Sequence, residues 1–289
     1  MSVEQKTYII TKDYTVSNKE FSLQYDEETD ILYTSPKPEL QSLSKYYDSP
    51  SYISHTDNHK GLFNQMYQQV KKLALHHKVK LIRKWNKNGG VLLDIGAGTG
   101  DFLVEAKKKG WNVQGIEPNV VARENALKKE ITLHTAYTSF KERSFDVITM
   151  WHVLEHIYNL DNQINLISTY LKKEGTLIIA VPNYKSFDAN YYKEFWAAYD
   201  VPRHLWHFSK KSISIIFEKY GFEVQKVKPM WFDSFYVSIL SEKYKNSKIA
   251  LLKGLGIGLY SNVEAKWKTK EFSSQIYILK RMKSKNKPI

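Results

Sequence analysis

Val91-Leu92-Leu93-Asp94-Ile95-Gly96-Ala97-Gly98-Thr99-Gly100, residues 91–100, is the stretch whose reading decides the fold. Val91 to Leu93 form an apolar run that reads as a buried strand, and Asp94 closes it. Gly96, Gly98 and Gly100 alternate through a tight turn, and an amphipathic helix is expected from Asp101 onward. Strand, glycine turn and helix in that order let backbone N–H groups approach a ligand closely. The spacing Gly-x-Gly-x-Gly is one residue tighter than the dinucleotide fingerprint Gly-x-Gly-x-x-Gly.

Outward from this stretch, strand and helix patterns alternate. Strands are expected at Asn112–Glu117, Ile131–Ala136, Phe145–Trp151, Gly175–Val181, Phe222–Lys228 and Gln275–Lys280, making seven with the opening one. Helices are expected at Gly61–Trp85, Asn119–Lys129, Leu160–Lys172 and Ser209–Tyr220, the last with Ser209 as N-cap and Gly221 as its stop. Buried strands alternating with helices imply an α/β, doubly wound, mostly parallel sheet.

Residues 1–59 differ. Tyr8-Ile9-Ile10, Phe21-Ser22-Leu23 and Ile31-Leu32-Tyr33 are short β-like pieces between polar turns, and Ser35-Pro36-Lys37-Pro38 breaks the chain. They are expected to form a small β-rich cap near the main site, with residues 60–289 as the principal domain. Two aromatic segments, 183–208 and 229–272, interrupt the alternation, and insertions beyond strand carboxyl ends are where α/β proteins place substrate.

The composition narrows the chemistry. With no cysteine in 289 residues, a disulfide framework, a thiolate zinc site and a cysteine nucleophile are all excluded. The N-terminus lacks the basic-then-apolar order of a signal peptide. The longest apolar stretch, Ile249–Tyr260, holds Lys253 and three glycines and is too short to span a bilayer. A cytoplasmic protein without a transmembrane segment is expected. The formal charge of +13 brings nucleic acid, anionic lipid and acidic substrates into view. Most lysines, however, are scattered (Lys71, Lys72, Lys78, Lys80, Lys107 to Lys109, Lys128, Lys129) and read as solvated helix faces, so nucleic acid is not the favoured partner.

Gly115-Ile116-Glu117-Pro118-Asn119 supplies an acid at the end of the second sheet strand, beside the glycine turn, where it can accept both hydroxyls of a ribose. At this point the sequence resembles the class I S-adenosylmethionine-dependent methyltransferases. LLDIGAGTG matches their first motif, GIEPN their acidic motif, FDVITMWHVLEHI their fourth-strand motif and GTLIIAVPN their fifth strand. The resemblance runs from about Gly61 to Lys280 with the motifs in order, and implies a Rossmann-like methyltransferase fold. It also implies S-adenosylmethionine as cofactor and S-adenosylhomocysteine as product. Position by position, it places Gly96, Ala97, Gly98 and Gly100 along the methionine portion, Asp94 at the amino group, and Glu117 with Pro118 at the ribose. Ala136 and Tyr137 fall near adenine, and Trp151 and His152 at the sulfonium end. Members of the family often carry an acid at the adenine position, which this chain lacks.

His152, Glu155 and His156 form a second constellation, on one face if a helix begins at Trp151. The family's quinone-pathway O-methyltransferases, to which this chain is similar, and those that methylate small-RNA ends carry acid-x-x-Glu-His here and can use a divalent metal; this chain has His152 in place of the acid. His204 or His207 could complete such a set. The opposing reading, which is favoured, is a packing element with no metal. His152 is the first general-base candidate because histidine titrates near neutrality, and His204 the second.

The segment Tyr199-Asp200-Val201-Pro202-Arg203-His204-Leu205-Trp206-His207-Phe208 resembles an Asp-x-Pro-Arg-His-x-x-His-Phe element of a bacterial subgroup. Arg203 there can hold a carboxylate or phosphate, with Trp196, Tyr199 and His207 lining a small-molecule site, or Arg203 and the histidines can anchor the loop. Many members of that subgroup carry cysteine pairs before a turn like TSPKP and a Tyr-Tyr pair. Here the turn and the pair remain without cysteines, leaving Tyr46, Tyr47, Tyr52 and His55 as a lid or as ordinary core. The leading expectation is methyl transfer to oxygen or nitrogen of a small, partly apolar molecule. RNA or protein methylation, and a non-catalytic cofactor-binding protein of the same fold, are the alternatives.

Overall fold

A computed structural model describes residues 6–47, 62–137 and 140–282, with the backbone alone for 62–70. Tyr52 and His55 lie outside the described residues. The elements in chain order are β1 (Lys6–Lys12), β2 (Glu20–Asp26), β3 (Ile31–Ser35), α1 (Leu62–Trp85), β4 (Val91–Ile95), α2 (Asp101–Lys108), β5 (Asn112–Ile116), α3 (Val120–Leu127), β6 (Phe145–Trp151), α4 (Leu160–Tyr170) and β7 (Leu171–Pro182). They continue with α5 (Phe187–Tyr192), β8 (Trp206–His207), α6 (Lys210–Glu218), β9 (Phe222–Pro229), α7 (Asp233–Tyr244), α8 (Ala250–Glu264) and β10 (Ser274–Arg281).

Six strands form the central sheet in the order β5-β4-β6-β7-β10-β9, and β10 runs antiparallel to both its neighbours. The inner strands are continuous apolar runs because helices cover both faces: Leu92, Leu93, Val147, Ile148 and Leu177 to Ala180 are all fully buried. Alternate side chains feed two cores, one holding Leu93, Ile148 and Ile179, the other Leu92, Val147 and Ile178.

Among the described residues, the seventh expected strand is missing. Ile131–Ala136 meets the sheet only at His134, whose N–H donates to the Gly115 carbonyl at 2.9 Å and whose carbonyl accepts from Glu117 at 2.9 Å. The chain then bends at Thr135 and Ala136, before a second pair can form. Ser209 caps α6 as expected, its hydroxyl accepting from the Ser212 N–H at 3.1 Å.

The three N-terminal strands pair antiparallel, and β8 from the 183–208 segment closes them into a four-stranded sheet, with Leu32 opposite His207 and Tyr33 opposite Trp206. Phe21, Leu23 and Leu32 share a core with Tyr184, Trp196 and Tyr199. The aromatic content of that segment is therefore largely the packing of the N-terminal sheet. No helix among the described residues is long and apolar enough to cross a membrane.

Candidate active site

The chain leaves β4 for β5 on one side and later places β6 on the other, so strand order reverses at β4 and opens a crevice beyond the carboxyl ends. Parallel register brings Asp94 level with Gly115 on β5 and Thr149 on β6. The turn that follows needs glycine for two different reasons. Gly96 has φ +69°, and a Cβ there would sit 2.4 Å from Val153 Cγ2. Gly98 has φ +53° and open space where a Cβ would point.

Glu117 is already oriented by this turn. Its Oε2 accepts from the Gly98 N–H at 2.8 Å and its Oε1 from the Asn119 N–H at 2.9 Å. Two backbone amides thus hold both carboxylate oxygens at the edge of the crevice, with exposed Pro118 beside them. Ala97 donates its N–H to the Ile116 carbonyl at 3.0 Å, tying the turn to β5.

Asp94 is 3% exposed, and the Thr149 hydroxyl donates to it at 2.6 Å. Burial pushes its carboxyl up to about 7, against the Thr149 hydrogen bond and the charge of Lys78, which pull it down. Lys78, expected on a solvated helix face, is instead half-buried on α1. Its ammonium lies 4.5 Å from the centre of the Trp151 ring and in the field of both Asp94 and Asp233. Burial lowers its pKa while the two carboxylates raise it. Lys71, likewise expected to be solvated, pairs with Asp101 at 2.7 Å.

The helix expected from Trp151 does not form. β6 runs through Trp151, His152 takes φ +57°, and only Leu154–His156 makes a single 3-10 turn. His152 and Glu155 still meet, but His156 turns elsewhere. His152 Nδ1 lies 3.3 Å from Glu155 Oε1, and Nε2 lies 2.9 Å from Asp233 Oδ2 on α7. Burial opposes charge on this ring, but Asp233 and Glu155 carry its pKa up to about 10. With a carboxylate at each nitrogen the ring is drawn toward its cationic form, in which neither nitrogen has a lone pair to accept a proton.

Glu155, His156 and His204 bring one ligand atom each within 4.8 Å of one another. This set keeps two members of the expected trio and exchanges His152 for His204. Both histidines are oriented from behind. His156 Nδ1 lies 3.0 Å from the Arg203 carbonyl and His204 Nδ1 lies 2.8 Å from the Ala198 carbonyl, which puts the proton on Nδ1 of each ring; the Tyr47 hydroxyl also meets His156 Nδ1 at 3.1 Å, and His204 Nε2 lies 3.9 Å from Asp200 Oδ2. Burial and the neighbouring His204 push His156 down to about 4, so its ring stays neutral. Among the described residues, Glu155 Oε2 is buried without a hydrogen-bond partner. Burial disfavours charge on Glu155, but His152 holds the carboxyl below its usual range.

The expected acceptor residues go another way. Arg203 is 1% exposed and its donors turn inward: Nε and Nη2 on Asp200, Nη1 on the Tyr46 carbonyl at 2.9 Å, Nη2 also on Asp13 at 3.1 Å. It anchors the loop to the N-terminal sheet, which is the second of the two roles its sequence context offers. Trp196 and Tyr199 are each 2% exposed in the same core, with the Trp196 indole donating to Asp188 at 2.8 Å. His207 Nε2 meets the Thr34 hydroxyl at 3.2 Å. Tyr137 stacks on Tyr170 with ring centres 5.3 Å apart, turned into the core, while Ala136 is exposed. Trp151 packs edge-on against Phe102 of α2.

A six-stranded sheet with one antiparallel strand, a glycine turn after its first strand and an acid after its second define a nucleotide-cofactor α/β enzyme. Residues 64–227 match the family described as a methyltransferase domain, and the chain belongs to it, as a class I S-adenosylmethionine-dependent methyltransferase. The chain is 29% identical over 124 residues to ubiquinone biosynthesis O-methyltransferase of Aeromonas salmonicida, covering 37% of this chain and 52% of that one. It spans about half the length of the curated relatives it matches. Magnesium protoporphyrin IX methyltransferase of Synechocystis, solved with S-adenosylhomocysteine, shares the fold at TM-score 0.55 and 14% identity over 84% of this chain and 100% of that one. Phosphoethanolamine N-methyltransferase 2 of Haemonchus contortus shares it at TM-score 0.53 and 18% identity over 92% and 70%. The cofactor of this family is S-adenosylmethionine.

Proposed function

We propose that the chain transfers a methyl group from S-adenosylmethionine to an oxygen or nitrogen of a small, partly apolar acceptor. One observation carries this reading: the Gly98 amide holds Glu117 at the carboxyl edge of β4 and β5, where buried Asp94 lies in the field of Lys78. The partial likeness to a ubiquinone biosynthesis O-methyltransferase favours oxygen. The bound cofactor supplies a sulfonium-bound methyl group open to attack by an acceptor lone pair. Glu117, preset by two amides, accepts the ribose hydroxyls, and Asp94 takes the methionine ammonium. Lys78 is placed to balance the methionine carboxylate. Gly96, Ala97, Gly98 and Gly100 allow backbone approach, and Ala136 and Pro118 border the adenine side through exposed surface.

Proton removal is not assigned to His152, whose two nitrogens face Glu155 and Asp233. It holds Asp233, and with it α7, against the end of β6. Positioning the acceptor in line accounts for most of what such a transfer requires of a protein. Titration with S-adenosylhomocysteine should give one site, and no binding would remove the reading. Mass-spectrometric detection of methylated product from a panel of phenols, catechols and amines then identifies the acceptor atom.

Glu155, His156 and His204, with one ligand atom each within 4.8 Å of one another and Glu155 Oε2 unpaired among the described residues, favour a second reading, in which they hold a divalent cation near the acceptor. Zinc or manganese should then raise the melting temperature of the wild type and not of His204→Ala.

A further inference from the structure

Helix α8 is built inside out. Toward the protein it presents Gly254, Gly258, Ser261 and Ala265, all buried. The two glycines bring α8 to backbone contact with α7: a Cβ at 254 would lie 2.6 Å from the Ile239 Cα, and one at 258 would lie 2.8 Å from the Phe235 Cα. The opposite face carries Leu252, Leu255, Leu259 and Val263, which are 71%, 41%, 56% and 46% exposed. Their spacing makes one continuous stripe along the helix. Trp267, 73% exposed, extends it into the π-helical turn Ala265–Thr269. An ordinary surface helix turns its large apolar residues inward, so a stripe of this kind marks a surface that is covered in use.

Charge identifies the cover. Exposed Lys248 precedes the stripe and exposed Lys266, Lys268 and Lys270 follow it. Between residues 248 and 270 there are five lysines and a single acid, Glu264. The remaining lysine, Lys253, pairs with buried Glu242 at 3.2 Å. We infer that α8 and the turn after it form a docking surface for an anionic lipid bilayer. The helix lies in the headgroup plane with its leucines in the acyl boundary, Trp267 at the interface, and lysines at both ends on anionic headgroups. A second copy of the chain fits this face less well. A two-fold pairing of the stripe sets the same lysines against each other with one acid per chain to offset them. α8 packs on α7, whose first residue Asp233 bonds His152, so one helix links the docking surface to the site.

Flotation of the full chain with vesicles tests this. Recovery with phosphatidylcholine vesicles containing phosphatidylglycerol should exceed recovery with phosphatidylcholine alone by about ten-fold or more, and should fall with added salt. The combined variant Leu252→Ser, Leu255→Ser, Leu259→Ser should partition about ten-fold less or weaker still. Its affinity for S-adenosylhomocysteine should be unchanged, because these side chains are exposed. The variant Lys266→Gln, Lys268→Gln, Lys270→Gln should lose the preference for anionic vesicles. The variant Lys283→Gln, Lys285→Gln, Lys287→Gln should keep it, which separates α8 from the basic C-terminal residues. Equal recovery with both vesicle types, or binding unaffected by the leucine variant, overturns the inference. So does a wild-type dimer in sedimentation that the leucine variant converts to monomer.

Discussion

His152 Nε2 lies 2.9 Å from Asp233 Oδ2, joining the end of a central strand to the first turn of a helix from the aromatic insertion. That contact fixes the protonation of His152 and the seat of α7 together. Asp233→Asn should leave the affinity for S-adenosylhomocysteine within about three-fold while cutting turnover by roughly ten-fold or more. Its alkaline pH limb should move down, because one of the two carboxylates that hold the imidazolium is gone. A lower kcat with an unmoved pH profile would show that Asp233 acts by packing alone.

Asp94 predicts a pH dependence of cofactor affinity. Burial keeps its carboxyl neutral below about 7, and a methionine ammonium needs it ionised. Affinity for S-adenosylhomocysteine should therefore rise from pH 6 to pH 8, and binding near neutrality should release a proton. Calorimetry in buffers of different ionisation enthalpy measures that release directly. The stability sign is opposite: a raised carboxyl pKa means that the unfolded chain loses its proton first. The apo protein should lose stability as pH climbs from about 4 to about 7 and then level off. In Asp94→Asn both dependences should flatten; a wild-type affinity already flat across this range would place the ammonium elsewhere.

Gly96 and Gly98 should separate folding from binding. Gly98→Ala meets open space and costs only its positive φ, about 1–2 kcal/mol, yet it fills the approach to the cofactor. It should melt near the wild type and bind S-adenosylhomocysteine at least about ten-fold more weakly. Gly96→Ala adds a 2.4 Å clash with Val153 to a similar φ cost and should lower the melting temperature further. Equal melting temperatures with equal affinities would mean that the turn relaxes freely.

Much of this was legible in the chain. Gly96 to Gly100 and the largely apolar runs Phe145–Trp151 and Gly175–Val181 disclosed the sheet, because strands buried on both faces read as near-continuous apolar stretches. Glu117 was legible from its distance beyond the turn. Lys78 and Asp233 were not: periodicity puts a lysine on α1 in solvent, and nothing local in Phe232-Asp233-Ser234 says that it meets a strand end. His152 misled for a local reason, since a residue at φ +57° stops the helix that its spacing suggested. Arg203 read equally as an anion binder or a loop anchor, because its partner Asp13 lies at the far end of the chain and is brought in only by the N-terminal sheet.

Arg203 and Asp13 provide the last prediction. The pair is 3.1 Å apart with side chains 1% and 0% exposed, and Asp13 also accepts from the Thr15, Val16 and Ser17 amides. Burial works against charge on Asp13, but the Ser17 amide and Arg203 hold its pKa below the usual carboxylate range. Removing one partner leaves the other charged and buried, which costs about 3–5 kcal/mol. Arg203→Met and Asp13→Asn should each lower denaturant stability by several kcal/mol, and the double variant should lose less than their sum. At temperatures where Arg203→Met remains folded, its KM for the acceptor should stay within about three-fold of the wild type. A large KM increase without loss of stability would return Arg203 to the acceptor site and free the N-terminal sheet from its dependence on this ion pair.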